Sequence, residues 1–450
     1  MNTIALNHEL DWLVENSWTS FAEAGIDREK YHLRNNIGGM LDYRSIVSWV
    51  YNINEVSSSG PHGANGCGFD VDIHQSQISS VAEAFERYCL SGIRNPKPLE
   101  RALDPSARHA AKLPADDWPT YSDWQLQDPD FPFRAYEPDK VVEWALADGM
   151  ATEDILIPAS LIWQGSMDDR FMPVVSSGTA CHSCDATALL SGIFEVVERD
   201  SFMIAWTRKA VLPIIPMDAS WIPESVRELS KFFSRVDCDL KLREMTTDLG
   251  IPTVLAVVEN KSMSKPAICV GAATRFTLAE AATKAAREAY QTWCWMADEH
   301  LKLTDNFAAS FTKLKSRLEM STHPILFGHP EASAFAVHLT SKTEDTCRNN
   351  RVVKDFEGTT PATPAMMLDA CVTRLSGAGL NPYCVKLSPD ELDISGLKVF
   401  RVIVPGLVPI SVGHQSCCLA HPRIASVPED CGWAAPPFDA NAYPPPHPFP

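Results

Sequence analysis

The chain has no long apolar run. A membrane-spanning helix needs ~20 consecutive apolar residues. The richest candidate here, VFRVIVPGLVPISV, is broken by Arg401, Pro405 and Pro409. No membrane span is expected. Basic residues are also short: 39 Lys and Arg stand against 57 Asp and Glu, for a net charge of -18. Such a surface repels phosphate backbones and argues against a nucleic-acid partner, but it leaves room for a locally basic nucleotide pocket. The opening MNTIALNHELDWLVENS lacks a basic segment followed by an apolar one, so it does not read as a signal peptide. There is one C-x-x-C, Cys181 and Cys184 in CHSC, and no second pair at the spacing a zinc site needs. Two small buried thiols in a loop are the plain expectation there. The 13 cysteines are odd in number and scattered. Without an export signal, they imply reduced thiols in the cytoplasm. Neither a G-x-x-x-x-G-K-[ST] phosphate loop nor a tandem repeat of solenoid period occurs.

What is present is a large reserve of apolar side chains. Of 450 residues, 45% are hydrophobic, ample for a core divided among two or three subdomains. Residues 1–50 read as partly helical and then β-like, in RSIVSWVYNI. SSSGPHGANGCGF (58–69) reads as a Gly/Ser loop, and a helix is expected over Ile73–Leu90. Residues 94–135, rich in Pro and Asp, read as irregular. Segments 153–164 and 171–176 look β-like. Asp185 is a plausible N-cap for a helix over 186–206. PTVLAVVEN and PAICVGAAT suggest a β-hairpin. Ala-rich LAEAATKAAREAYQTWCWM (278–296) is a strong helix former. Residues 305–350 give no clear pattern. TPAMMLDACVTRLSGAGL reads as a helix stopped by glycine, with strands near PYCVKL and VFRVIVPGL. The last fifteen residues hold seven prolines and should be extended, an ending that by composition alone reads as a disordered tail. This mixture predicts an α/β (mixed α+β) protein with helices packed on sheets.

Two helices carry an echo. SSVAEAFER and SGIFEVVER both contain E-x-x-E-R. Positions i, i+3 and i+4 share a helix face. Glu83, Glu86 and Arg87 therefore form one polar cluster, and Glu195, Glu198 and Arg199 another. A single such cluster is usually a solvated face. The second, however, is ringed by Leu189, Leu190, Ile193, Phe194, Val196, Val197, Phe202, Met203, Ile204 and Trp206. Buried carboxylates cost several kcal/mol unless cations compensate them. Mg²⁺ shared with the phosphates of ATP would do so without a P-loop. A structural ion-pair network between helices would do so too, and periodicity leaves both readings open. Lys284, Glu288 and Gln291 line one face of a third helix, which alone reads as an ordinary surface stripe.

Here the residues resemble a family. GANGCGFDVDIHQSQISSVAEAFERY resembles the first YcaO signature, a glycine loop followed by S-x-x-x-E-x-x-E-R. SSGTACHSCDATALLSGIFEVVERDSFMIAW resembles the second, GAATRFTLAEAATKAAREAYQ the third, and VFRVIVPGLVPI the late PGL strand. Pro446-His-Pro448-Phe-Pro450 looks like the terminal P-x-P-x-P of azoline-forming YcaO cyclodehydratases, which makes the tail a functional segment.

The resemblance implies a YcaO-type fold with ATP and Mg²⁺ held between helices. Its parts would be an N-terminal segment (1–60), a catalytic domain (61–435) and a proline-rich tail (436–450) reaching the active site. Glu83, Glu86, Glu195 and Glu198 match its metal-binding carboxylates. Arg199 matches a phosphate-contacting arginine, with Ser79, Arg87, Glu288 and Gln291 as further nucleotide contacts. The implied activity is an ATP-dependent cyclodehydratase, in a pathway to an azole-modified, bacteriocin- or microcin-like peptide. It converts Cys, Ser or Thr of a ribosomal precursor peptide to thiazoline or oxazoline, with the Pro450 carboxylate positioning or deprotonating the amide. Other amide activations, thioamidation or amidine formation, and a non-catalytic scaffold role are the alternatives. The chain departs from the family's pattern at Cys67, where Lys is usual, and at Ser183 and Thr187, where Asn and Glu are usual. About 60 residues precede the first motif, too few for an E1-like leader-peptide-binding domain. A separate partner of that kind is therefore expected, with a flavin-dependent azoline dehydrogenase and homodimerisation as further expectations.

Overall fold

The computed structural model describes residues 15, 28–34, 43–51, 63–91, 110–114, 118, 121–137, 139, 143–164, 171–173, 175–262, 266–302, 306–316, 321–341, 363–389, 396–413 and 415–450. The chain divides into two compact units. The first takes Met1–Ala115, Tyr136–Ile193 and Ala362–Pro405; the second takes Asp116–Ala135, Phe194–Pro361 and Gly406–Pro450.

The first unit contains two sheets. Strands β1 (Arg28–Arg34), β2 (Arg44–Tyr51) and β3 (Gly63–Asp70) form an antiparallel sheet in that order. Helix α1 (Ile73–Leu90) packs on it, and the Asp72 side chain caps it by accepting from the His74 N–H. Strand β3 corrects an expectation: its glycine-rich sequence was expected to be a loop. Its glycines serve close packing. A Cβ at Gly66 would come 2.0 Å from the Ser80 carbonyl oxygen, and one at Gly68 1.7 Å from that of Ser76. Glycine weakens a free strand, but it is required where a helix backbone lies this near. Residues 58–62 of that expected loop, and residues 1–27 and 35–42 apart from residue 15, lie outside the described residues.

The second sheet runs β4 (Ala111–Lys112), β6 (Ile155–Pro158), β5 (Trp144–Gly149), β12 (Tyr383–Lys386), β13 (Lys398–Ile403), β7 (Thr179–His182). It is antiparallel except for the β4–β6 pair. Among the described residues of 171–176 there is no strand; β7 begins at Thr179 instead. Cys181 therefore lies on a strand and Cys184 is exposed, in place of two buried loop thiols. Each of the twelve described cysteines is a free thiol. Helix α2 (Asp185–Thr207) begins at Asp185 itself, one residue before the expected start, and Lys398 pairs with that carboxylate at 2.8 Å.

The second unit is built on the antiparallel order β11 (Ile268–Thr274), β10 (Thr253–Asn260), β9 (Cys238–Glu244), β8 (Ile214–Ile215). The expected hairpin is β10–β11, paired from Thr253↔Thr274 to Glu259↔Ile268. Both strands are almost wholly buried. Helix α4 (Leu278–Lys302) covers them with Ala281, Ala282, Ala285, Ala286 and Ala289, all fully buried. A Cβ at Gly271 would meet the Ala289 nitrogen at 2.3 Å, so the alanines set a close helix–sheet spacing. Helix α3 (Glu224–Arg235) seals the neighbouring edge, where Phe232 and Phe233 meet Tyr290 and Trp293 edge to face. The unreadable 305–350 stretch contains helices α5 (Phe307–Ser316) and α6 (Thr322–Phe327) and a 3₁₀ turn over Pro330–Ala336. Elsewhere, α7 (Pro364–Gly377) is the expected glycine-stopped helix of the first unit, and α8 (Pro422–Asp430) precedes the tail.

Candidate functional site

In the first unit, the E-x-x-E-R of α1 faces two backbone donors. The Cys67 N–H donates to Glu83 Oε2 at 2.7 Å, and Arg87 pairs with Glu83 Oε1 at 2.6 Å. The Cys181 N–H donates to Glu86 Oε1 at 2.7 Å. Both acids are thus aimed by the edges of separate sheets, through β3 and β7. This places the Cys67 departure: its main chain orients Glu83 whatever the side chain. Burial, then Glu86 and Cys89, push the Cys181 thiol well above its usual range. Ser79 and Arg87 are exposed on α1. Ser183 is exposed ahead of α2, and Thr187 is half-buried within it.

In the second unit, α2 carries the other E-x-x-E-R. Arg199 lies between its two acids, with Nη2 3.3 Å from Glu195 Oε1 and Nη1 3.0 Å from Glu198 Oε1. The helix period brings Glu195 under Arg199 by the i, i+4 rule. Glu198 is 4% exposed. Burial pushes its carboxyl up to about 7; Arg199 and Lys284 oppose the rise, and Glu288 and Glu195 add to it. Burial works against the Arg199 charge, yet Glu198, Glu195 and Glu288 hold its pKa above the ordinary value. Lys284 and Glu288 pair at 3.2 Å on α4, and Gln291 is half-buried one turn on.

Sequence reading missed two groups here. Arg275, between β11 and α4, lies over the Phe194 ring at 5.4 Å, and burial lowers its pKa against the pull of Glu198 and Glu288. The signal was an arginine directly after a buried strand. Asp200, next to Arg199, is fully buried, accepts from the Val408 N–H at 2.9 Å, and shares Arg423 with Asp248. The tail was singled out from the sequence by its P-x-P-x-P ending. Pro444, Pro446, His447, Pro448 and Phe449 are buried in a segment without helix or strand, and Pro450 is exposed. The Phe449 ring lies 4.2 Å from the Arg199 guanidinium carbon.

The donor set suits a magnesium nucleotide. Carboxylates and phosphate oxygens are the ligands Mg²⁺ takes, usually one or two side chains with waters completing the shell. Glu198 is a buried acid paired with Arg199 at 3.0 Å. Arg199 Nη1 is buried without an aligned hydrogen-bond acceptor, as a phosphate-binding donor would be. Among the described residues, no three His, Cys, Asp or Glu side chains form a cage able to hold a metal. Also among them, no helix is long and apolar enough to cross a membrane.

Residues 65–408 match the profile of the YcaO cyclodehydratases, described as ATP- and Mg²⁺-binding. An uncharacterized protein of Methanothermobacter thermautotrophicus is 24% identical over 76% of this chain and 81% of its own. A structure described as a heterocyclase in complex with substrate and cofactor is similar over 98% of this chain, with TM-score 0.73 and 18% identity. This chain spans only 57% of that heterocyclase. YcaO from Methanopyrus kandleri, bound with AMPPCP and Mg²⁺, is similar over 97% of this chain and 95% of its own, with TM-score 0.63 and 16% identity.

Proposed function

The chain belongs to the YcaO cyclodehydratase family, and from that premise we propose that it closes azoline rings in a ribosomal precursor peptide at the expense of ATP. The thiol of a Cys, or the hydroxyl of a Ser or Thr, adds to the preceding amide carbonyl carbon. The amide oxygen leaves as phosphate, and the C–N bond becomes the C=N of a thiazoline or oxazoline. Bound Mg²⁺·ATP supplies the phosphoryl group that turns a poor oxygen leaving group into a good one.

The chain's own residues hold and neutralise. Glu83, Glu86, Glu195 and Glu198 are the proposed metal carboxylates. Arg199 is the proposed phosphate contact, with Arg275 beside it and Ser79, Arg87, Glu288 and Gln291 as further nucleotide contacts. The observation that carries this reading is the cluster around Arg199: two carboxylates, Glu195 and the buried Glu198, share one guanidinium at 3.3 and 3.0 Å. A purely structural ion pair needs only one acid for one arginine. Pro450 is proposed to lie toward the peptide, with its carboxylate at the reacting amide. A separate E1-like protein would present the leader peptide, and a flavin-dependent dehydrogenase would oxidise the azolines. Homodimerisation and a cytoplasmic setting complete the proposal; the free thiols of the described cysteines suit a reducing compartment.

The test is reconstitution with precursor peptide and partner. Peptide-dependent ATP turnover should accompany loss of one water per ring by mass spectrometry, and both should vanish in Glu195→Ala. Turnover that persists in Glu195→Ala would remove the carboxylate assignment. Gain of sulfur without loss of water would replace cyclisation by thioamidation.

A further inference from the structure

Arg199 is held on its edges by acids and on its face by the tail. Glu195 and Glu198 take its Nη atoms, while Phe449 lies 4.2 Å below the guanidinium carbon. That ring is itself fixed. It is 2% exposed and tilts against Phe202 at a centroid distance of 4.6 Å. The Phe449 main-chain N–H donates to His447 Nδ1 at 3.2 Å. His447 Nε2 donates to the Ser411 carbonyl at 2.8 Å, and Trp206 Nε1 donates to the Pro445 carbonyl at 2.8 Å. A leucine would keep an apolar side chain there but be smaller and have no π-face. An aromatic adds a negative π-face under a planar cation, an attraction that strengthens when both are withdrawn from water. The ring is held by Phe202 and by the His447 contact, independently of the two acids.

We propose that Phe449 is a positioning residue whose ring fixes the Arg199 guanidinium for nucleotide phosphate, so that the tail sets nucleotide affinity through one aromatic side chain. The proposal rests on Arg199 being the phosphate contact of the proposed function. The experiment measures Kd for a non-hydrolysable Mg²⁺·ATP analogue by calorimetry on the full chain. It uses Phe449→Leu and a series with one, two and three fluorines on the Phe449 ring, each in the native and the Arg199→Ala background. Fluorination weakens the π-face and keeps the shape, so it tests the idea even where Phe449→Leu fails to fold. The expected result is a stepwise loss of affinity, reaching roughly five- to twenty-fold, the range of a desolvated cation–π contact, with no dependence on fluorine in Arg199→Ala. A flat series, alongside weak binding by Arg199→Ala, overturns the role of Phe449 and leaves the proposed function standing. Unchanged binding by Arg199→Ala overturns both.

Discussion

The imidazole of His447 lies flat on that of His323, with centroids 4.0 Å apart and planes 17° apart. Each ring spends one nitrogen as an acceptor: His323 Nε2 takes the Gly413 N–H, and His447 Nδ1 takes the Phe449 N–H. Each other nitrogen faces a carbonyl, of His447 and Ser411 respectively. Both rings are therefore neutral, with their tautomers set. This pair clamps the tail.

Acid should loosen that clamp. Burial, with Arg199 adding and Ser411 opposing, lowers the His447 pKa from 6.5 to about 4. Between those values the unfolded chain binds a proton that the folded chain refuses, so this contribution is lost as pH falls through the window. In thermal melts, His447→Gln should be less stable than the native protein at pH 7.5. It should also lose less stability between pH 7 and pH 5.

Glu198 should act with the opposite sign. Its folded pKa, about 7, lies above the ordinary 4.5, so the folded chain holds the extra proton and stability falls as pH rises between them. Metal-free Glu198→Gln should show a flatter stability profile across that range. It should also lose the thermal stabilisation that Mg²⁺ with nucleotide gives the native protein.

Asp200, next to the proposed phosphate contact Arg199, has a structural role. Arg423 Nη2 pairs with Asp200 Oδ2 and Asp248 Oδ1, each at 2.8 Å, and Asp200 Oδ1 also accepts from the Val408 N–H. Removing one partner of a buried pair strands the other, at roughly 3–5 kcal/mol. Asp200→Ala should show that loss in urea unfolding, and Asp248→Ala a smaller one, because Asp248 is 34% exposed.

Gly68→Ala should detach α1 from its sheet. The added methyl would lie 1.7 Å from a main-chain oxygen, which no rotamer relieves. Overpacking of this kind costs about 3 kcal/mol. Hydrogen exchange should rise along residues 73–90, with the Cys67–Glu83 hydrogen bond lost.

Much of this architecture was legible because it is periodic. The bounds of α1, the β10–β11 hairpin and the paired E-x-x-E-R faces follow from spacing alone. What escaped depends on partners distant in sequence. GANGCGF reads as a loop until a helix lies close enough to need its glycines. Nothing in the spacing singles out Arg275, whose interactions with Glu198 and Glu288 come from two helices, α2 and α4. The proline-rich tail looks unfoldable because prolines donate no main-chain hydrogen bonds. It is held instead through its carbonyls, by Trp206 at Pro445 and by Trp124 at Ala440.

The six-stranded sheet carries a cost in time. His182 pairs with Lys398, and Asp148 with Cys384. At the ~5–20 residues per second of ribosomal synthesis, the early strands wait on the order of ten to forty seconds for their neighbours. Throughout that interval a nascent chain presents bare strand edges to everything around it. Yield in a cell should therefore follow the supply of chaperones that shield emerging chains more closely than the stability of the finished protein.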